Sequence, residues 1–151
     1  MGIQSASLNV MRAAAEKAGR ALRRDFGEIE KLQVSQKGPG DFVTNADLKA
    51  ESIIREELQT ARPGYGLLME ESGEIKGSDK THRWIVDPLD GTTNFMHGIP
   101  HFAISIALER EGRVVSGLIY NPVTDELFLA ERGQGAFSYN TRLRAGGRSR
   151  M

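Results

Sequence analysis

The spacing of apolar residues divides the chain into a helical first part and a strand-rich remainder. Leu8, Met11, Ala15, Ala18 and Leu22 fall at alternating steps of three and four, which puts them on one stripe of a helix behind a candidate cap at Ser5 or Ser7. Residues Glu30 to Gln36 then read as a short strand. The segment KGPGD (37–41) reads as a loop, because two glycines and a proline break either regular pattern. Thr44 and Asp47 have the spacing of a capping box, and Ala46, Ala50, Ile53, Ile54 and Leu58 continue at helical steps as far as Pro63-Gly64. A second helix is therefore expected to open near Asn45.

After Pro63 the period changes to two. Gly66 to Met69 and Arg83 to Asp87 are short apolar runs, and Phe102, Ile104, Ile106 and Leu108 alternate with smaller or more polar neighbours. Turn signals at Glu111-Gly112 and Asn121-Pro122 mark off two further strands, Val114 to Tyr120 and Glu126 to Ala130, and Gly133 and Gly135 lead into a last one near Phe137. The fold class these elements predict is α+β: two N-terminal helices on one face of a mostly antiparallel sheet. No repeat or linker divides the sequence, so residues 1–151 read as a single domain, with 140–151 as a frayed or truncated tail.

Composition narrows the chemistry. Twenty basic and twenty acidic side chains leave no net charge, which gives no general attraction for nucleic acid or an anionic membrane. With no cysteine, a bound metal must be held by oxygen or imidazole, which favours hard cations. No apolar run reaches membrane-spanning length and no secretory signal opens the chain, so a cytoplasmic protein is expected. His97 and His101 stand four apart, but Pro100 interrupts them and no third zinc ligand is evident.

The segment WIVDPLDGTTN (84–94) runs a strand directly into Asp87 and Asp90. Two ionised carboxylates on one turn call for a counter-charge, which Mg²⁺ supplies, with the Leu89 carbonyl as a further oxygen. Gly91 allows close backbone approach, and a helix opening at Thr92 would turn free N–H groups toward a phosphate. A plain turn accounts for Asp-Pro and Asp-Gly equally well when this segment is viewed alone. Two more acidic groups lie at element ends: Asp47, and Glu70-Glu71-Ser72 after the strand LLM. Helix capping and a solvated loop pair are their simpler readings.

Taken together and in order, GDFVTNAD (40–47), MEESG (69–73) and WIVDPLDGTTNF (84–95) resemble the inositol monophosphatase family, most closely its bacterial members. The likeness extends through PHFAISIAL (100–108) and RGQGAF (132–137). It implies the first half of the layered α/β sugar-phosphatase fold and a Mg²⁺-dependent phosphomonoesterase. By this resemblance Glu70, Asp87, the Leu89 carbonyl and Asp90 match metal ligands, and Asp47 with Thr92 matches the pair that orients and deprotonates the attacking water. Glu70 is counted with that catalytic group as well as with the ligands. Asp90, Gly91 and Thr92 match substrate contacts at the phosphate end, while Lys37, Glu71 and Thr93 are supporting residues.

The substrate the resemblance implies is a small phosphate monoester, myo-inositol monophosphate first. Fructose bisphosphate, adenosine bisphosphate and NADP(H) are the substrates of related lithium-sensitive enzymes, and a noncatalytic, cation-holding protein-binding module is the rival from another class. Lithium sensitivity and a homodimer are implied by likeness alone. The Trp-Asp motif of the family's second half is absent, and NTRLRAGGRSRM (140–151) shows no further strand or helix pattern. The expectation is a fragment that catalyses poorly by itself and exposes an apolar sheet face.

Overall fold

The computed structural model describes residues 5–33, 39–138 and 141–143. Two long helices come first, α1 (Ala6–Gln33) and α2 (Pro39–Ala61). Ser5 caps α1, its hydroxyl accepting the Leu8 N–H at 3.2 Å. The apolar stripe runs on past Leu22 to Ile29, both fully buried, so the helix extends through Gln33 where a strand from Glu30 was expected. The helical period simply continues, and tertiary burial of Ile29 outweighs the weak strand pattern of the following residues.

The start of α2 also differs from expectation. It opens at Pro39 rather than near Asn45, which places Thr44 inside the helix, and the Thr44–Asp47 spacing does not mark its start. Proline suits a first helical turn, where its missing N–H would have no helical partner in any case. Val43, Ala46, Ala50, Ile54 and Leu58 form the buried stripe of α2, and Asp47 and Glu51 lie buried along the same side. Lys17 pairs with Glu57 at 3.0 Å and Lys49 with Asp25 at 3.2 Å; the reversed order of these pairs shows that α1 and α2 run antiparallel.

The remaining elements are β1 (Gly66–Met69), β2 (Gly73–Ile75), β3 (His82–Asp90), α3 (Thr92–Met96), β4 (Ala103–Arg110), β5 (Arg113–Asn121), β6 (Glu126–Glu131), β7 (Gly135–Ser138) and β8 (Thr141–Leu143). They form one sheet in the order β2-β1-β3-β4-β5-β6-β7-β8. Every neighbouring pair is antiparallel except β1 with β3, which is parallel. The hairpin strand β2 has too short a pattern to be read from sequence. Strand β8 falls within the segment expected to lack regular structure; it pairs with β7, which satisfies that strand's outer edge.

Both long helices pack on one face of the sheet, where Trp84, Ile104, Ile106 and Leu118 are buried. Among the described residues, no helix packs on the opposite face. Ile119 and Phe128 are directly paired there across β5 and β6 and remain exposed, as the sequence led one to expect of this face. Among the described residues, no helix is long and apolar enough to cross a membrane.

Candidate cation and phosphate site

The site is built where the parallel pair ends. Met69 on β1 stands opposite Val86 on β3, so the next residues of the two strands, Glu70 and Asp87, emerge side by side at their C-terminal ends. In open sheets with parallel strands this is the end at which ligands are commonly received. Helix α2 brings Asp47 to the same place. One carboxylate oxygen from each of Asp47, Glu70 and Glu71 lies within 4.8 Å of the others.

A bulge in β3 completes the arrangement. Asp87 pairs with Ser105 and Asp90 with Ala103, so three steps along β3 match two along β4. The extra residue is absorbed at Pro88-Leu89; both are buried, opposite the buried Ile104. Asp87 and Asp90 therefore share the outer face, although a spacing of three in a regular strand would send them to opposite faces. Proline belongs at such a point because it contributes no N–H to the ladder. The Asp87 carboxylate also accepts the Leu89 N–H at 3.3 Å across the bulge.

Gly91 has φ +96°, and a Cβ there would lie 2.9 Å from the His101 carbonyl oxygen. Only glycine fits, because the chain's own backbone makes the close approach. It leads into α3, whose first helical bond is from the Phe95 N–H to the Gly91 carbonyl at 3.0 Å. The N–H groups of residues 92–94 precede that bond. Thr92 and Thr93 are exposed on this turn, while Phe95 is buried against Phe26 and Phe102 with ring centroids 5.6 and 4.9 Å away. Asn94 donates to the His101 carbonyl at 2.8 Å and ties the turn to the entry of β4.

The electrostatics are those of crowded like charges. Burial, followed by the carboxylates of Glu70, Glu71, Asp87 and Glu51, pushes the Asp47 carboxyl up to about 7. Glu70 meets solvent on one side, yet partial desolvation and the adjacent Asp87 carboxylate hold it above the usual range as well. Asp47 Oδ1 is buried with no hydrogen-bond partner among the described residues. An all-oxygen donor set with mutual repulsion and an unpartnered buried oxygen fits a hard divalent cation.

Of the residues singled out from sequence, Asp47, Glu70, Glu71 and Asp87 thus come together. Asp90, Gly91, Thr92 and Thr93 follow on the adjoining turn, and Leu89 sits in the bulge. Lys37 lies outside the described residues. A depression of about 430 Å³ opens beside Asp90, between Gly91, Asn94, His101, Asn121 and Phe128. The larger hollow, about 540 Å³, lies at the opposite end of β3 between Glu74, Lys76, Arg83 and Glu109 and holds none of the clustered carboxylates.

Sequence reading missed Glu51. It is buried on α2, one turn after Asp47, and its carboxylate accepts the Glu71 N–H at 2.9 Å, the Ser72 N–H at 3.0 Å and the Ser72 hydroxyl at 2.5 Å. A carboxylate in the buried stripe beside Ala50 and Ile54 was the available signal.

Known proteins share this arrangement of sequence and fold. The profile of the inositol monophosphatase family matches residues 4–150. An inositol-1-monophosphatase from Mesorhizobium japonicum is 66% identical over 148 residues, covering 98% of this chain and 56% of that protein. A Nus factor SuhB from Vibrio cholerae is 47% identical over 137 residues, covering 91% of this chain and 51% of that protein. The crystal structure of the extragenic suppressor protein suhB from Bartonella henselae matches with a TM-score of 0.84 at 64% identity, covering 95% of this chain and 56% of that one. The chain spans about half the length of the curated relatives it matches. A match over nearly every residue, with the fold to go with it, means that the chain belongs to the inositol monophosphatase family.

Proposed function

We propose that this chain carries the cation and phosphate site of a Mg²⁺-dependent phosphomonoesterase, with myo-inositol monophosphate as its substrate. The observation that supports this most is the convergence of Asp47, Glu70, Glu71 and Asp87 from α2, the end of β1 and the end of β3. The bulge adds Asp90 to the face that Asp87 occupies. The substrate assignment rests on likeness to proteins named inositol-1-monophosphatase.

In this reading Glu70, Asp87, the Leu89 carbonyl and Asp90 hold the cation, and Glu71 supports that set. Mg²⁺, when bound, polarises phosphoryl oxygens and makes water a stronger acid. Gly91 and Thr92 offer backbone N–H groups to the phosphate, and the outer-face depression beside Asp90 gives room for the alcohol portion. Asp47 has the protonation range of a base that can take a proton near neutral pH, and Thr92 orients the water that gives it up.

Phosphate release from myo-inositol monophosphate, with fructose bisphosphate, adenosine bisphosphate and NADP(H) alongside, tests the proposal. Release that is slow in this chain, requires Mg²⁺, favours the inositol ester and disappears in Asp87→Asn is the expected result. Mg²⁺ uptake with no release from any ester would instead point to a noncatalytic cation-holding module. The open Ile119–Phe128 face is the feature such a module would use.

A further inference from the structure

Glu51 lies outside every ligand and proton-transfer role assigned above, yet it joins two of the elements that carry those roles. Its Oε1 accepts the Glu71 N–H, and its Oε2 accepts both the N–H and the hydroxyl of Ser72. Side chain and turn are twenty residues apart in sequence, so these are tertiary bonds between α2 and the turn after β1. Asp47 sits one helical turn before Glu51 on the same buried side of α2. Glu70 and Glu71 sit on the turn that Glu51 grips. Each of its three bonds therefore fixes the placement of the Glu70–Glu71 pair relative to Asp47.

The side chain's charge runs against simple stability. A fifth carboxylate, and a buried one, raises the repulsion felt by Asp47 and Glu70. A neutral group could fill the same volume without that penalty. What a carboxylate offers here is two acceptor atoms for donors on both sides. Glutamine has the same length, but its amide nitrogen cannot accept an N–H, so it satisfies one side and opposes the other.

We propose that Glu51 is a positioning residue that sets the cation site by clamping the backbone of Glu71 and Ser72 to α2. The inference rests on the cation-binding reading of the cluster and extends it to a residue that touches neither cation nor substrate. Outer residues that orient a metal's ligands typically contribute about ten- to a hundredfold to metal affinity.

The test is calorimetric titration of Mg²⁺ into the wild-type chain, Glu51→Gln and Ser72→Ala, together with amide hydrogen exchange at Glu71 and Ser72. In the wild type, both amides should exchange far more slowly than that of Gly112, a turn glycine. In Glu51→Gln the dissociation constant for Mg²⁺ should rise at least about tenfold, and one of the two amides, Glu71 or Ser72, should lose its protection while the sheet amides keep theirs. Ser72→Ala, which removes one of the three bonds and leaves the charge alone, should weaken Mg²⁺ by a smaller factor. It decides the matter if the glutamine variant does not fold.

Wild-type Glu71 and Ser72 amides that exchange as fast as that of Gly112 would overturn the clamp. Folded variants that bind Mg²⁺ as tightly as wild type would do the same while leaving the cation site intact. A wild-type chain that takes up no Mg²⁺ would remove the functional reading itself, and the positioning role with it.

Discussion

Asp87 and Asp90 present their carboxylates on the same face of the sheet because Pro88 and Leu89 together occupy the space opposite a single residue, Ile104. A three-residue spacing that would send two carboxylates to opposite faces of a regular strand gathers them here.

That relationship makes a first prediction. Asp87→Asn should weaken Mg²⁺ binding by more than about tenfold, or roughly 1.4 kcal/mol, because Asp87 also faces Glu70. Thr92→Ala, on the exposed first turn of α3, should leave Mg²⁺ affinity unchanged and lower turnover. Isothermal titration beside a phosphate-release assay separates the two effects. A Thr92→Ala variant with wild-type turnover would remove Thr92 from the chemistry.

The raised Asp47 carboxyl gives a pH dependence with a definite sign. A folded-state value of about 7, above the ordinary carboxylate range, means that the folded chain holds this proton more tightly than the unfolded chain does. The stabilisation is fully present below the unfolded carboxylate pKa of about 4 and is lost as pH rises through 7. Metal-free chain should therefore show a falling melting temperature between pH 5 and 8, and Asp47→Asn should flatten that slope. Added Mg²⁺ should restore stability most at the upper end of the range, where the carboxylates are ionised.

Two glycines of α1 should respond oppositely to alanine. A Cβ on Gly27 meets no described atom within 4 Å, so Gly27→Ala, in the helix interior, should stabilise the chain by about 0.5–1 kcal/mol. A Cβ on Gly19 would fall 2.7 Å from the Tyr120 ring and 3.0 Å from Pro122. That ring is held by its hydroxyl, which donates to Asp125 at 2.9 Å, so it cannot easily yield. Gly19→Ala should cost about 1–3 kcal/mol. Urea denaturation of the two variants measures both.

The Asp25–Lys49 pair should matter more than a surface ion pair. Asp25 is buried, and Lys49 donates to both of its oxygens at 3.2 Å, linking α1 to α2. Lys49→Met leaves the carboxylate without those bonds and should destabilise the chain by about 1–3 kcal/mol, read from the same denaturation curves.

How far the sequence revealed this molecule depends on how local each signal is. The apolar stripes of α1 and α2 and the alternation in β4 depend on near neighbours and were legible. The continuation of α1 beyond Ile29 depends on what the helix packs against, and the opening of α2 at Pro39 overrode a capping pattern that points to Asn45. Strands as short as β2 and β8 exist through their pairing partners, which no three-residue pattern announces. Within the site, Asp47, Glu70, Asp87 and Asp90 could be picked out because each belongs to a short acidic motif, although Asp47 lies inside α2 and Asp87 inside β3 rather than at their ends. The shared face of Asp87 and Asp90 required the register against β4, and the clamp by Glu51 required knowing that α2 lies over the turn after β1.

If the proposed site is real, carboxylates from α2 and from the ends of β1 and β3 enclose one hard cation beside the turn at Gly91. Crystals of the chain soaked in Mn²⁺ and measured at an anomalous-scattering wavelength test it directly. A single strong peak bound by Glu70 and Asp87, with the Leu89 carbonyl and Asp90 facing it, is expected. Peaks only at other carboxylates, or none near Asp87 at millimolar Mn²⁺, would contradict it.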